Sequence, residues 1–150
     1  MKILLIEDEE ALSEVAAIQL RNLGNTVYTV SNLEEATRFL EEPEDALDLI
    51  IADHRLPDGR GIDFIIERVR DGCTIPTVVV SGCLTVADVA VLERAGIPYY
   101  RKPVIYSEVV RRFEPPRGPP LPPKKGEVPE IRLEDTARRR GLFGGFFRRG

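Results

Sequence analysis

Cysteine, histidine and long apolar runs are scarce in this chain, and each scarcity narrows what it can be. Only Cys73 and Cys83 occur among 150 residues. They lack metal-ligand spacing and no secretory signal precedes them, so the expected setting is a reducing compartment, the cytoplasm, rather than a disulfide framework. No run approaches the ~18 apolar residues that a membrane-spanning helix needs. The single histidine, His54, follows Asp53 on what reads as a strand end and points to the opposite face. It is therefore read as a core or surface residue rather than a ligand or a phosphorelay group.

Acid is what the chain has in plenty, and it is unevenly spread. The formal net charge of −4 divides into −8 over residues 1 to 113 and +4 over residues 114 to 150. Seven of the 12 prolines also fall after residue 113. Composition and charge thus change together near Glu114, which separates a folded domain, 1–113, from a Pro-rich linker and basic, aromatic tail, 114–150, expected to be flexible. Within that tail, Pro115 to Pro129 reads as extended and Ile131 to Arg140 as a marginal helix. Phe143, Phe146 and Phe147 lie between basic clusters suited to docking on a partner or an anionic surface. The tail is too short for a DNA-binding domain and the body is acidic, so direct DNA binding is not expected.

Five apolar strands alternate with helices along residues 1 to 113. Lys2–Ile6, Thr26–Val30, Leu49–Ala52, Thr77–Val80 and a brief strand from Tyr99 are short, largely apolar or β-branched, and closed by turn signals. Between them, Leu12, Val15, Ala16, Leu20 and Leu23 form one helical stripe, stopped by Gly24 at C′. Ser31 and Glu34 have capping-box spacing for a helix through Leu40 that offers Ala36, Phe39 and Leu40 to the core. Ile62, Ile65, Ile66 and Val69 mark a third helix, Val86 to Ala95 a fourth ended by Gly96, and Ser107 to Phe113 a fifth. Such alternation implies a parallel sheet covered by helices on both faces, with ligands gathering outside the carboxyl ends of the strands.

What stands at those ends carries the chemistry. Glu7 and Asp8 follow the first strand, Asp53 the third, Ser81 the fourth and Lys102 the fifth. Three acids on one rim would repel one another and raise their own pKa values unless they share a cation, and an all-oxygen set with room for water suits Mg²⁺, with Mn²⁺ an alternative. A lysine balances a phosphoryl dianion there and a serine hydroxyl bonds one of its oxygens. The site reads as one for phosphoryl chemistry on a carboxylate.

The ordered set of Glu7-Asp8, Asp53 with Leu56-Pro57 and Gly61 behind it, Ser81-Gly82, and Lys102-Pro103 preceded by Tyr99 resembles the receiver domain of two-component response regulators. The resemblance covers residues 1 to about 113. It implies a flavodoxin-like sheet of order 2-1-3-4-5, which the receiver fold itself exemplifies. It also implies that Asp53 is the phosphoacceptor for a sensor histidine kinase or histidine phosphotransfer protein, that Glu7, Asp8, Asp53 and the backbone carbonyl of Arg55 hold Mg²⁺, that Lys102 binds the phosphoryl oxygens, and that its bond to Pro103 is cis. Ser81 and Tyr99 resemble the switch pair that turns charge at Asp53 into a changed surface for a downstream protein. The expected role is that of a stand-alone receiver and not an enzyme. Two variants of it stay open, a receiver-like interaction module that takes no phosphate and a phosphorelay intermediate. An aspartyl-nucleophile phosphatase of the haloacid-dehalogenase type would need a second acid two residues past Asp53, where Arg55 stands.

Overall fold

The run Lys-Ile-Leu-Leu-Ile alternates its side chains across a sheet, and both faces of that sheet are apolar. In the computed structural model, which describes residues 1–42 and 46–115, this run is β1 (Lys2–Ile6). Ile3 and Leu5 join one buried cluster, with Ala16, Ala17 and Leu20 of α1 (Glu10–Asn22) and Val109 and Val110 of α5 (Tyr106–Arg111). Leu4 and Ile6 join a second, with Ala36 of α2 (Leu33–Glu41), Ile62 and Ile65 of α3 (Gly61–Arg70) and Leu92 of α4 (Val86–Ala95). A strand buried on both faces has no polar side to show, which is why it reads as a continuous apolar run. Each large aliphatic side chain taken fully out of water contributes about 1.5–3 kcal/mol.

The remaining sheet strands are β2 (Thr26–Val30), β3 (Leu49–Ala52), β6 (Thr77–Ser81) and β7 (Tyr99–Arg101). All neighbours pair in parallel, in the order β2-β1-β3-β6-β7. Counted among these five alone the order is 2-1-3-4-5, as the resemblance implies. The linker, helix and aromatic cluster expected after residue 115 lie outside the described residues.

Three local readings shift. Ala16, Ala17 and Leu20 form the buried face of α1, whereas Leu12, Val15 and Leu23 are 41%, 52% and 45% exposed. Small residues bring that helix close to the sheet, and the larger ones flank the contact. The α2 cap falls one residue later than Ser31: the Asn32 side chain accepts from the Glu35 backbone N–H at 2.8 Å, and the Glu35 carboxylate reaches back to the Ser31 backbone N–H at 2.8 Å. The segment after Asp53 is more than a turn, because β4 (Arg55–Leu56) and β5 (Gly59–Arg60) pair as a small antiparallel hairpin.

That hairpin is strapped to α2. The Asp58 carboxylate accepts the backbone N–H groups of Leu33 and Glu34, both at 2.9 Å. These bonds hold the Asp58 carboxyl below its ordinary pKa of 3.8, so their contribution is present above that value and lost as pH falls through the lowered one. Asp58→Ala is expected to cost about 1 kcal/mol in urea denaturation at neutral pH, the usual scale for an N-terminal cap. An unchanged midpoint would show the strap to be idle.

Candidate functional site

The strand ends deliver their acids to one place because β1, β3 and β7 all finish at the same rim. Glu7, Asp8 and Asp53 each offer a carboxylate oxygen, and these oxygens lie within 4.8 Å of one another. The Lys102 ammonium reaches between them, donating to Asp53 Oδ2 at 2.9 Å and to Glu7 Oε2. The sheet fixes this meeting: Asp53 N donates to Ile6 O at 2.9 Å, and Lys102 N donates to Ser81 O at 3.0 Å. The Lys102–Pro103 peptide is cis.

Burial sets the electrostatics. Glu7 is 5% exposed, and its burial pushes the carboxyl above its ordinary pKa despite the hydrogen bond from Lys102. For Lys102, burial works against the charged form, but the bonds to Asp53 and Glu7 prevail and hold the ammonium above its ordinary value. Lysine therefore carries the positive charge that three crowded carboxylates require. The donor set is oxygen only, and Glu7 and Asp8 also line a groove with Glu10, Glu14 and Glu35. Both features fit a hard divalent cation.

Asp53 is held by its own backbone. Its Oδ1 accepts from His54 N at 2.5 Å and Arg55 N at 3.4 Å. Behind it the chain passes so close that a Cβ at Gly61 would stand 1.9 Å from Asp53 O. Only glycine fits there, for reasons of space. Gly61→Ala must displace the backbone that carries Asp53 and is expected to cost roughly 1–3 kcal/mol in chemical denaturation. Wild-type stability in that variant would mean that the loop yields freely.

Four of the predicted residues, Glu7, Asp8, Asp53 and Lys102, thus come together. Ser81 is fully buried beside them, and its hydroxyl engages Cys83, accepting from Cys83 N at 3.5 Å with Sγ at 3.9 Å. The Tyr99 ring packs on the α4 side of the sheet, and its hydroxyl donates to Glu93 Oε1 at 3.3 Å. Tyr100, its neighbour, packs on the opposite face. Arg55 is exposed on the hairpin. Two participants carried no sequence signal. Tyr106 lies buried close enough for the charges of Lys102, Glu7 and Asp53 to act on it, and its hydroxyl is raised chiefly by burial. Asp58 anchors the loop after Asp53 to α2.

The family model of the response regulator receiver domain matches residues 3–113. The KDP operon transcriptional regulatory protein KdpE of Escherichia coli is 32% identical over 112 residues, which cover 74% of this chain and 48% of that protein. The regulatory protein VanR of Enterococcus faecium is 30% identical over 114 residues, 75% of this chain and 48% of VanR. The chain therefore spans about half the length of these curated relatives. Among solved structures, a receiver domain from Clostridium thermocellum superposes with a TM-score of 0.68 at 26% identity, covering 75% of this chain and 90% of that one. The non-phosphorylated HemR receiver domain of Leptospira biflexa gives 0.64 at 27%, covering 74% and 89%.

Proposed function

The chain belongs to the response regulator receiver family, and from that membership we propose that Asp53 is its phosphoacceptor in two-component signalling. The observation that carries the reading is the bonding of Lys102 to Asp53 at a rim shared with Glu7 and Asp8. The donor is the phosphohistidine of a sensor kinase or a histidine phosphotransfer protein. A carboxylate oxygen of Asp53 attacks phosphorus opposite the imidazole nitrogen; the P–O bond forms, the P–N bond breaks, and the imidazole leaves with its electron pair. Little covalent help is needed, because charge neutralisation and alignment supply most of the acceleration.

Glu7, Asp8, Asp53 and the Arg55 carbonyl would hold Mg²⁺, or Mn²⁺ in its place, which when bound neutralises charge on the transferred group. Lys102 exchanges its carboxylate bond for one to a phosphoryl oxygen, and Ser81 donates its hydroxyl to another. Movement of the Ser81 segment opens space for the Tyr99 ring to leave Glu93 and turn inward, altering the surface around α4 and β7. The output is a contact with a downstream protein, and the role is signalling rather than turnover of a substrate. Residues 1–113 form the receiver and 114–150 an appended linker and tail. The proposed location is the cytoplasm; among the described residues no helix is long and apolar enough to cross a membrane.

The test is incubation with acetyl phosphate and Mg²⁺ followed by intact-mass measurement. A single phosphoryl adduct that hydroxylamine removes, as it does an acyl phosphate, is the expected result. No adduct, or one that resists hydroxylamine, would overturn the assignment and leave an interaction module that works without phosphate.

A further inference from the structure

A second buried polar set lies on the other side of the acceptor loop, and the chemistry above makes no use of it. Asp88, in the first turn of α4, is 5% exposed. Its Oδ2 accepts from Thr85 N at 2.9 Å and Thr85 Oγ1 at 2.8 Å, while Asp88 N donates to Thr85 Oγ1 at 3.2 Å, closing a reciprocal cap. A cap needs nothing more. Yet Asp88 Oδ1 also accepts from Arg60 Nη2, and His54 Nε2 stands 3.6 Å from Oδ2. His54 is only 6% exposed and its Nδ1 has no hydrogen-bond partner among the described residues. A buried imidazole, rather than an apolar ring, thus stands beside this carboxylate.

The connectivity gives the set its meaning. His54 and Arg60 both belong to the segment leaving Asp53, and His54 O accepts from Gly61 N at 2.8 Å to close that segment. Asp88 belongs to the segment leaving Ser81. On its far side the Ser81 segment is fastened to β7, by Arg101 Nη1 to Leu84 O at 3.1 Å and Lys102 N to Ser81 O at 3.0 Å. Residues 81–88 are therefore held between the acceptor loop and the segment formed by β7 and Lys102.

We propose that His54, Arg60 and Asp88 are positioning residues which tie the N-terminus of α4 to the acceptor loop, so that a change at Asp53 is transmitted to α4 through this anchor. The proposal rests on the phosphoacceptor reading and adds the route by which that site acts on its output helix. Neither arm of the anchor touches the acids or Lys102 by a side chain, so cutting an arm leaves the acceptor chemistry in place.

Amide exchange on the full chain, with and without Mg²⁺ and beryllofluoride, tests it in Arg60→Met, His54→Leu, the double variant and Arg60→Lys. Arg60 is about half exposed, so Arg60→Met leaves the core intact. In the unmodified protein, each single variant is expected to speed exchange across residues 83–90 about fivefold, and the double variant no further, because the arms act through one carboxylate. The beryllofluoride-induced change over those residues should fall to less than about half of wild type, with Arg60→Lys restoring it. Uptake by every variant with an undiminished change at 83–90, or faster exchange spread over the whole chain, would overturn the anchor alone. A wild type that binds no beryllofluoride would overturn the phosphoacceptor reading, and the coupling with it.

Discussion

Asp53→Asn is expected to abolish phosphoryl uptake: in a mixture where the wild type should acquire a hydroxylamine-sensitive adduct from acetyl phosphate, the variant should stay at its unmodified mass. An amide oxygen carries no full negative charge and is a poor nucleophile toward phosphorus, so the adduct should fall by at least about a hundredfold. The loss must be separable from misfolding, and the contacts allow that. The oxygen of the introduced amide can still accept from the His54 and Arg55 backbone N–H groups that now bond Oδ1. Its nitrogen would then face the Lys102 ammonium, donor to donor, in place of the bond now made at 2.9 Å. Lys102 keeps Glu7 as a partner. The expected stability cost is about 1 kcal/mol, the scale of one hydrogen bond, measurable in the same samples. Equal modification of variant and wild type would move the acceptor to another carboxylate, and the geometry of the rim would then mean something different.

The residues that this experiment depends on were legible in the sequence, and the reason is mechanical. A strand buried on both faces is a short apolar run, so the residue that interrupts it is also the residue at the sheet rim. Glu7, Asp53 and Ser81 each announce themselves that way, as does Lys102 after the brief strand from Tyr99. Helix faces were less legible. In α1 the apolar residues outnumber the positions that touch the sheet, and hydrophobicity alone favours Leu12 and Val15 over Ala17, although it is Ala17 that is 2% exposed. The α2 cap was ambiguous because Ser31 to Glu34 and Asn32 to Glu35 present the same spacing in adjacent frames. The long-range bonds of Asp58, Arg60 and Asp88 left no trace: they span 24 to 28 residues, and a side-chain bond between two loops has no period and no local composition by which to be found.

Lys102→Ala is expected to weaken the fold, to tighten its hold on a divalent cation and to slow phosphoryl transfer, all at once. The lysine is now the cation that Glu7 and Asp53 share, and its side chain is only 21% exposed. Removing it leaves two poorly solvated carboxylates facing each other. Because the rim keeps some contact with water, the penalty is smaller than for a fully buried pair, about 1–3 kcal/mol at neutral pH. Its pH dependence has a definite sign. Burial already raises Glu7 above its ordinary 4.5, and loss of Lys102 raises it further. The folded state then binds more protons than the unfolded one above that value, so the variant loses stability relative to wild type as pH rises through the raised pKa, and recovers it on acidification. Mg²⁺ no longer competes with an ammonium for these oxygens, so it should raise the melting temperature of the variant more than that of wild type. Transfer nonetheless slows, because a cation among the carboxylates does not replace a donor aimed at the phosphoryl oxygens. Melting curves with and without Mg²⁺ between about pH 5 and 8, with acetyl phosphate kinetics beside them, give all three answers. Identical Mg²⁺ shifts in both proteins would mean that Lys102 and the cation do not compete, and that the ammonium bonds described here give way before any cation arrives.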